Sequence, residues 1–411
     1  MSLVPYALES RDLIRRILDD TKAEKACDIP WHRLEAAEGV VSQYSAEDGG
    51  LNVRRLRTYT VVAVKAWGAR FGGGGGVPQA TSPKGFVGLI LPQDFKASER
   101  RSLYREILEA EAAGDVAPTN GIALFDGRPP IRWGSVGARV TWDEALEFVG
   151  RVLTKNKDIA ERLTGTVCES PDPECVAKAI EDSRLRPFSA SLLLRLAYEG
   201  RFDEVAREAR KDGLKNSWIL ALESLERLMV IKRAIERIWA QGSTPVFVVK
   251  TSRTTSFCNS TLPDIHIIED ILRSKGYIEP GFTARLFRNV NEYFDLKKTG
   301  GPRLYPAVNG VSDFYQGKVA VLSTFVRLRR GGFIFKVEAL YRKDLVESAD
   351  EVKLAGSLLS RLATLPLSGE GYPLALMIAD SNARISEPEM DGVLRALGAD
   401  LVPESRSVLR V

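Results

Sequence analysis

Two short stretches end an apolar run on an aspartate that is followed by glycine. They are VVSQYSAEDGG, Val40 to Gly50, carrying Asp48, and GIALFDG, Gly121 to Gly127, carrying Asp126. A carboxylate at a strand end beside a tight glycine turn is aimed into whatever site that end faces. Asp-Gly is also the commonest hairpin turn signal, so the first copy taken alone reads more readily as a turn. The second copy, and an amphipathic stretch between the two bearing Glu106, Glu109 and Glu111, change the reading. Carboxylates gathered closely repel one another and raise each other's pKa unless a cation lies between them. The chemistry implied is that of divalent metal ions held by oxygen ligands.

Composition supports carboxylate chemistry by exclusion. There are only two histidines, His32 and His266, which rules out a His-rich centre. The four cysteines (Cys27, Cys168, Cys175, Cys258) lack zinc spacing. Cys168 and Cys175 flank a Ser-Pro-Asp-Pro loop and would pair in an oxidised protein. A reduced, cytoplasmic chain is preferred, with no signal peptide and no apolar stretch long enough to span a bilayer. Charged residues make up 27% of the chain for a net of +4, so any nucleic-acid surface must come from local clustering. At 411 residues and 44% hydrophobic, the chain exceeds one ordinary core. Two lobes, or one core with a large insertion, are expected.

The elements that must position the acids follow from periodicity and punctuation. Helices are expected over residues 6–24 and about Pro30 to Glu38, then a strand from Val40 to Asp48. Arg54 to Trp67 reads as a second strand, rich in β-branched and aromatic residues. The glycine run Gly72 to Gly76 lacks the Lys-Ser/Thr of a phosphate loop and precedes no helix, so it reads as a hairpin tip. Gly85 to Leu91 is a third strand. Ala97 to Ala113 is a helix with Leu103, Ile107, Leu108 and Ala112 on its apolar side. Glu109 lies at the edge of that side, whereas Glu106 and Glu111 suit solvent. Three hairpin-joined strands, then a helix, then the buried strand Gly121 to Asp126, open an RNase H-like order. The expected fold class is therefore α/β, an RNase H-like mixed-sheet core with a large helical insertion.

From Trp142 to Ala240 the pattern is almost wholly helical, with clear pieces at Asp143 to Thr154, Leu185 to Tyr198 and Trp218 to Trp239. Its basic residues, among them Arg201, Arg227, Arg233 and Arg237, are interleaved with acids and suit a solvated surface better than a DNA channel. The core resumes with the strand Pro245 to Val249, which runs into Lys250. A lysine beside a carboxylate site can neutralise charge developing on a phosphate, or can simply cap the strand. Ser252 and Arg253 follow it as candidate nucleic-acid contacts. Ile265 to Lys275 is a helix. Val319 to Arg327 and Phe333 to Leu340 form a hairpin, with Arg327, Arg329 and Arg330 at its tip as candidate phosphate contacts. A helix covers Asp350 to Ala363. Tyr372 to Ile378 reads as a last strand ending near Asp380, before a helix from Glu387 to Leu397. The organisation expected is a helical segment at 1–38, a first half-core at 39–140, a helical insertion at 141–241 and a second half-core at 242–411.

Five stretches carry a family resemblance. They are SAEDGG (Ser45 to Gly50), REILEAEAA (Arg105 to Ala113), ALFDG (Ala123 to Gly127), VVKTSR (Val248 to Arg253) and GYPLALMIADSNARIS (Gly371 to Ser386). In order and spacing they resemble the archaeal NurA nuclease family, the nuclease partner of the HerA translocase. The resemblance implies a homodimer with a central channel and manganese-dependent cleavage of DNA, single-stranded endonucleolytic and 5′–3′ exonucleolytic. It also implies DNA end resection in double-strand break repair with a hexameric HerA-type ATPase. It makes Asp48, Glu109, Asp126 and Asp380 ligands of Mn²⁺ or Mg²⁺, two ions in all. Asp48, Glu109 and Asp126, with Lys250, become catalytic. One position departs from the family pattern, since Asp380 stands where the family usually has a histidine. Asp still suits these cations, though the change also fits an inactive DNA-binding paralogue. The same carboxylate set would serve an enzyme acting on RNA or RNA–DNA hybrids.

Overall fold

The computed structural model describes residues 11, 27, 29–36, 39–56, 59–72, 78–81, 83–93, 95–131, 140–255, 257–258, 262–294 and 305–398. The helix expected over 6–24 apart from Arg11, the glycine run Gly72 to Gly76 beyond its first residue, and the closing tail lie outside them.

The fold is mixed α/β, built on one sheet that has eleven strands among the described residues. β1 (His32–Arg33) is a short edge strand, β2 (Gln43–Arg55) and β3 (Thr60–Gly72) are long, and β4 (Gln79–Ala80) and β5 (Lys84–Leu89) follow. β6 (Ile122–Asp126), β7 (Thr244–Val249), β8 (Gly281–Phe282), β9 (Arg285–Phe287), β10 (Val319–Arg327) and β11 (Phe335–Arg342) complete the sheet. Its order is β1-β8-β10-β11-β7-β6-β2-β3-β4, with β5 on β3 and β9 on β10. β2 and β3 pair antiparallel, while β6 lies parallel to both β2 and β7. That run is the RNase H-like order the sequence pattern predicts. β6 is apolar on both faces because helices cover both.

One face carries α1 (Ala97–Asp115), α2 (Trp142–Lys155), α3 (Lys157–Thr164), α4 (Pro173–Asp182), α5 (Phe188–Tyr198), α6 (Phe202–Lys211) and α7 (Ser217–Ala240). Phe125 of β6 and Phe247 of β7 stack at 4.4 Å on this face and join its core. α7 is buried nearly all round over its first two-thirds, its charged Glu223, Glu226 and Arg227 included. After α8 (Asp264–Ser274), α9 (Val290–Tyr293) and α10 (Lys343–Val346), the other face is covered by α11 (Glu351–Ala363) and α12 (Leu374–Ala383). These pack on Ile122, Leu124, Val246 and Val248. α13 (Glu387–Ala396) closes the described chain.

Three expectations are corrected. His32–Arg33 pairs with β8 as a strand, where a helix over Pro30 to Glu38 is predicted, because Leu34 N–H donates to Pro280 O and docks the segment on the sheet edge. The supposed last strand, Tyr372 to Ile378, is mostly helix α12. Finally, the thiols are not free: Cys27 is bonded to Cys258 and Cys168 to Cys175, with Cα separations of 5.3 and 5.8 Å.

Candidate active site

β2 does not stop on Asp48, as the glycines after it suggest; it continues to Arg55. The glycines serve close approach instead of a turn. A Cβ on Gly49 would fall on the Glu109 carboxylate and on Arg105 Cγ of α1. A Cβ on Gly50 would fall on the Ala383 carbonyl of α12. Bare backbone at both positions lets a helix close on β2 from each side.

Strand alternation then sorts the acids. Tyr44, Ala46 and Asp48 face α12, whereas Glu47 and Gly49 face α1. Glu47 pairs in register with Phe125, so one residue further along both strands Asp48 lies beside Asp126. Asp380 comes from the exposed side of α12 and Glu109 from α1. Lys250, the first residue after β7, places Nζ 2.8 Å from Asp126 Oδ2 and 4.4 Å from the Tyr372 ring centroid. Asp48 Oδ1 accepts from the Gly49 N–H at 2.7 Å.

The electrostatics are those of crowded like charge. Burial, then the neighbouring Asp126 and Asp380, push the Asp48 carboxyl up to about 6, against the Gly49 N–H bond and Arg105. Burial also pushes Glu109 up to about 8, opposed by Arg105 and helped by Glu106, Asp48 and Asp126. Glu47 is raised well above the usual carboxylate range by burial, with Glu109, Asp48 and Asp126 adding to it. Tyr372 is raised by burial and by Asp126, toward which its buried hydroxyl is directed.

Among the described residues, no three His, Cys, Asp or Glu side chains converge closely enough to chelate a metal ion as they stand. Cations of the chain hold the acids instead. Lys250 pairs with Asp126, Arg105 with Glu109 at 3.2 Å, and Arg384 with Asp380 at 3.3 Å. The donor set itself fits Mg²⁺ or Mn²⁺. It offers carboxylate oxygens only, and one of them, Glu47 Oε2, is buried without a partner.

Glu109, and not its neighbour Glu106, belongs to the cluster's strand side, because Arg227 of α7 holds Glu106 at 2.8 Å. Glu111 is held by Arg186 and Arg233. The basic residues of the helical layer are similarly engaged, Arg201 by Asp158 and Arg237 by Asp115. Two of the candidate nucleic-acid contacts turn inward. Ser252 is buried and bonded to Thr254 Oγ1 at 2.7 Å. Arg327 is buried and ties the hairpin tip together, donating to Gly332 O at 2.9 Å and Tyr277 O at 2.6 Å. Arg253 is exposed. Arg329 and Arg330 are also exposed, Arg329 packing on Gly371 beside Tyr372 and Arg330 pairing with Glu279. Sequence reasoning missed Glu47, Tyr372 and Arg105. Only Glu47 leaves a signal, as a second acid next to Asp48 that must face the other way.

A family model, the NurA domain, matches residues 43–385. No curated protein matches the chain. Among solved structures, the NurA nuclease from Sulfolobus solfataricus aligns with a TM-score of 0.60 at 17% identity, covering 97% of this chain and 96% of that one. A NurA structure with manganese aligns at 0.56 and 16% identity, covering 96% and 99%. A NurA structure bound to dAMP and manganese aligns at 0.53 and 16% identity, covering 98% and 95%.

Proposed function

The chain belongs to the NurA family, and on that footing we propose that it is a divalent-metal-dependent deoxyribonuclease. The observation that carries the reading is that Asp48 and Asp126 follow the last register pair, Glu47 and Phe125, on adjacent parallel strands, with Lys250 on Asp126 and a helix bringing a further acid from each face. Asp48, Glu109, Asp126 and Asp380 would hold Mn²⁺ or Mg²⁺, two ions in all. When bound, such ions activate water and stabilise the leaving 3′ oxygen of a phosphodiester.

The chain's own groups do the rest. Lys250 is half-exposed and sits on the Tyr372 ring, so it can leave Asp126 for a phosphate oxygen without losing its aromatic support. Tyr372 walls the site and directs a hydroxyl toward the carboxylates. Arg253, Arg329 and Arg330 are exposed cations for the nucleic-acid backbone, which needs no base readout. The family resemblance extends the proposal to single-stranded endo- and 5′–3′ exonuclease activity, a homodimer, cytoplasmic DNA end resection and a HerA-type hexameric ATPase. Residues 141–241 are then a helical insertion in the nuclease core. Among the described residues no helix is long and apolar enough to cross a membrane.

One observation favours a second reading, a DNA-binding scaffold without activity: Asp380 is half-exposed and already paired with Arg384. A cleavage assay on end-labelled single- and double-stranded DNA and on matched RNA, with Mn²⁺, Mg²⁺ or EDTA, separates the readings. Metal-dependent cutting of DNA supports the nuclease. Faster cutting of the RNA strand would redirect it to ribonucleic substrates. No cutting, even with the ATPase added, would leave the scaffold.

A further inference from the structure

The far end of the β2–β3 hairpin carries cations that the proposed reaction does not use. The alternation that turns Asp48 toward α12 turns Leu51 and Val53 toward α1, and Arg55 with them. Thr60, the register partner of Arg55, lies on the same side of β3 as Val62 and Val64 and also faces α1. The first turn of α1 closes over this pair. Arg55, Thr60, Lys96, Ser98, Glu99 and Arg101 line an open cavity of about 410 Å³ there.

Donors crowd this cavity and acceptors do not. Arg54, one residue earlier on β2, faces α13 and is held by Glu387 at 2.7 Å and Asp391 at 3.0 Å. Arg55 and Arg101 meet no such acid among the described residues, and Arg101 Nε is buried without a hydrogen-bond partner. The acid among the lining residues, Glu99, pairs with Lys96 at 3.2 Å. α1 begins on Lys96, and a lysine side chain has no acceptor to cap the N–H groups of the first turn. Thr60 is 4% exposed, and its hydroxyl makes no hydrogen bond among the described residues. Two guanidiniums, a helix N-terminus and a buried hydroxyl thus converge with only an already paired acid beside them, which is the donor set of a tetrahedral oxyanion. We propose that this cavity binds a phosphate group, and that the phosphate belongs to the backbone of a nucleic-acid strand. Arg55 lies seven residues beyond Asp48 on β2, about 23 Å at the rise of a strand. The site is therefore a second anchor, remote from the scissile bond. The strand as source rests on the nuclease reading above; the phosphate site does not.

The test is calorimetric titration of the full chain in EDTA with two probes, inorganic phosphate and a single DNA strand of about sixteen nucleotides. The proteins are wild type, Arg55→Gln, an Arg55→Gln, Arg101→Gln double variant, Thr60→Val and Arg54→Gln. No cleavage is needed, so failure of the nuclease reading leaves the phosphate result intact. The double variant should bind both probes at least about tenfold more weakly than wild type, and Thr60→Val about threefold more weakly. Arg54→Gln removes the same charge from the other face of β2 and should leave phosphate affinity unchanged. Absence of phosphate binding to wild type, wild-type phosphate affinity in the double variant, or an equal loss in Arg54→Gln would each overturn the site. Loss of phosphate with unchanged affinity for the strand would overturn the backbone assignment and leave a site for free phosphate. Arg55 is exposed, so Arg55→Gln alone carries the test if the double variant does not fold.

Discussion

Helix α1 carries two buried charged clusters, and they are built in opposite ways. In its first half, Arg100 and Tyr104 close on Glu223 of α7, all fully buried. Arg100 Nε donates to both Glu223 oxygens at 2.9 Å, its Nη2 donates at 2.7 Å, and the Tyr104 hydroxyl donates at 2.5 Å. Charge meets opposite charge and the donors are used inside the protein. About two turns further on, Glu109 joins Glu47, Asp48 and Asp126, where like charges meet and one acceptor stays unpaired. The first cluster is complete without a ligand and holds two helices together. The second keeps like charges side by side with an acceptor unpaired, and that is what separates a candidate site from a brace on the same helix.

The sharpest way to break this comparison is at Asp126. Asp126→Asn should lower cleavage by about a thousandfold or more, worth roughly 4 kcal/mol, and leave melting unchanged. An unfolded variant would make Asp126 a brace as well. Glu223→Ala should do the reverse. It strands Arg100 in the interior and should cost about 3–5 kcal/mol of stability, with turnover per folded molecule kept within threefold of wild type, as denaturant titration and assay would show. Gly50→Ala should cost about 1–3 kcal/mol by overpacking against the Ala383 carbonyl. It should also weaken cleavage, because it moves the helix that carries Asp380; an active, fully stable Gly50→Ala would remove the close-approach role of the glycine.

The open cluster also has a pH signature. A carboxyl whose pKa is raised in the folded state contributes stability that is fully present below the ordinary carboxylate range and is lost as pH rises through the folded value. For Asp48 that value is about 6 and for Glu109 about 8. In EDTA, the stability difference between wild type and an Asp48→Asn, Glu109→Gln double variant should therefore shift against wild type from pH 4 to pH 9. Divalent ions should reverse the shift, since the protons must leave for the metal to bind. A difference independent of pH would show that these carboxyls are not crowded. The smallest effects belong to the hairpin tip. Arg330→Ala should change DNA affinity less than threefold and reduce its salt dependence slightly. Arg327→Ala should lower stability and leave affinity alone.

What was legible in the sequence was residue type and order. Asp48, Asp126 and Lys250 stand out as charged residues at the end of strand-like runs and Glu109 as an acid beside a helix's apolar side, and the strand–helix–strand spacing carries the core topology. What was not legible depends on layers meeting. Gly49 and Gly50 read as a turn, since a chain alone does not show that two helices press on the strand there. Leu374 to Ala379 is apolar on every side, so it carries no helical period; Ala375, Leu376 and Ala379 turn inward while Leu374, Met377 and Ile378 stay exposed. Arg327 reads as a tip residue, and only the register of β10 on β8 and β11 turns it inward. Tyr372 has no local signal at all, because its partners, Lys250 and Asp126, are distant in the chain.

The measurement that bears most directly on the site is cleavage of end-labelled single-stranded DNA by wild type and Asp48→Asn in Mn²⁺, with melting of both recorded in EDTA. The expected result is cutting by wild type that EDTA abolishes, and loss of about a thousandfold or more in a variant that melts at or above the wild-type temperature. An Asp48→Asn protein that is folded and cuts at more than a tenth of the wild-type rate would contradict the assignment of these carboxylates as the catalytic centre.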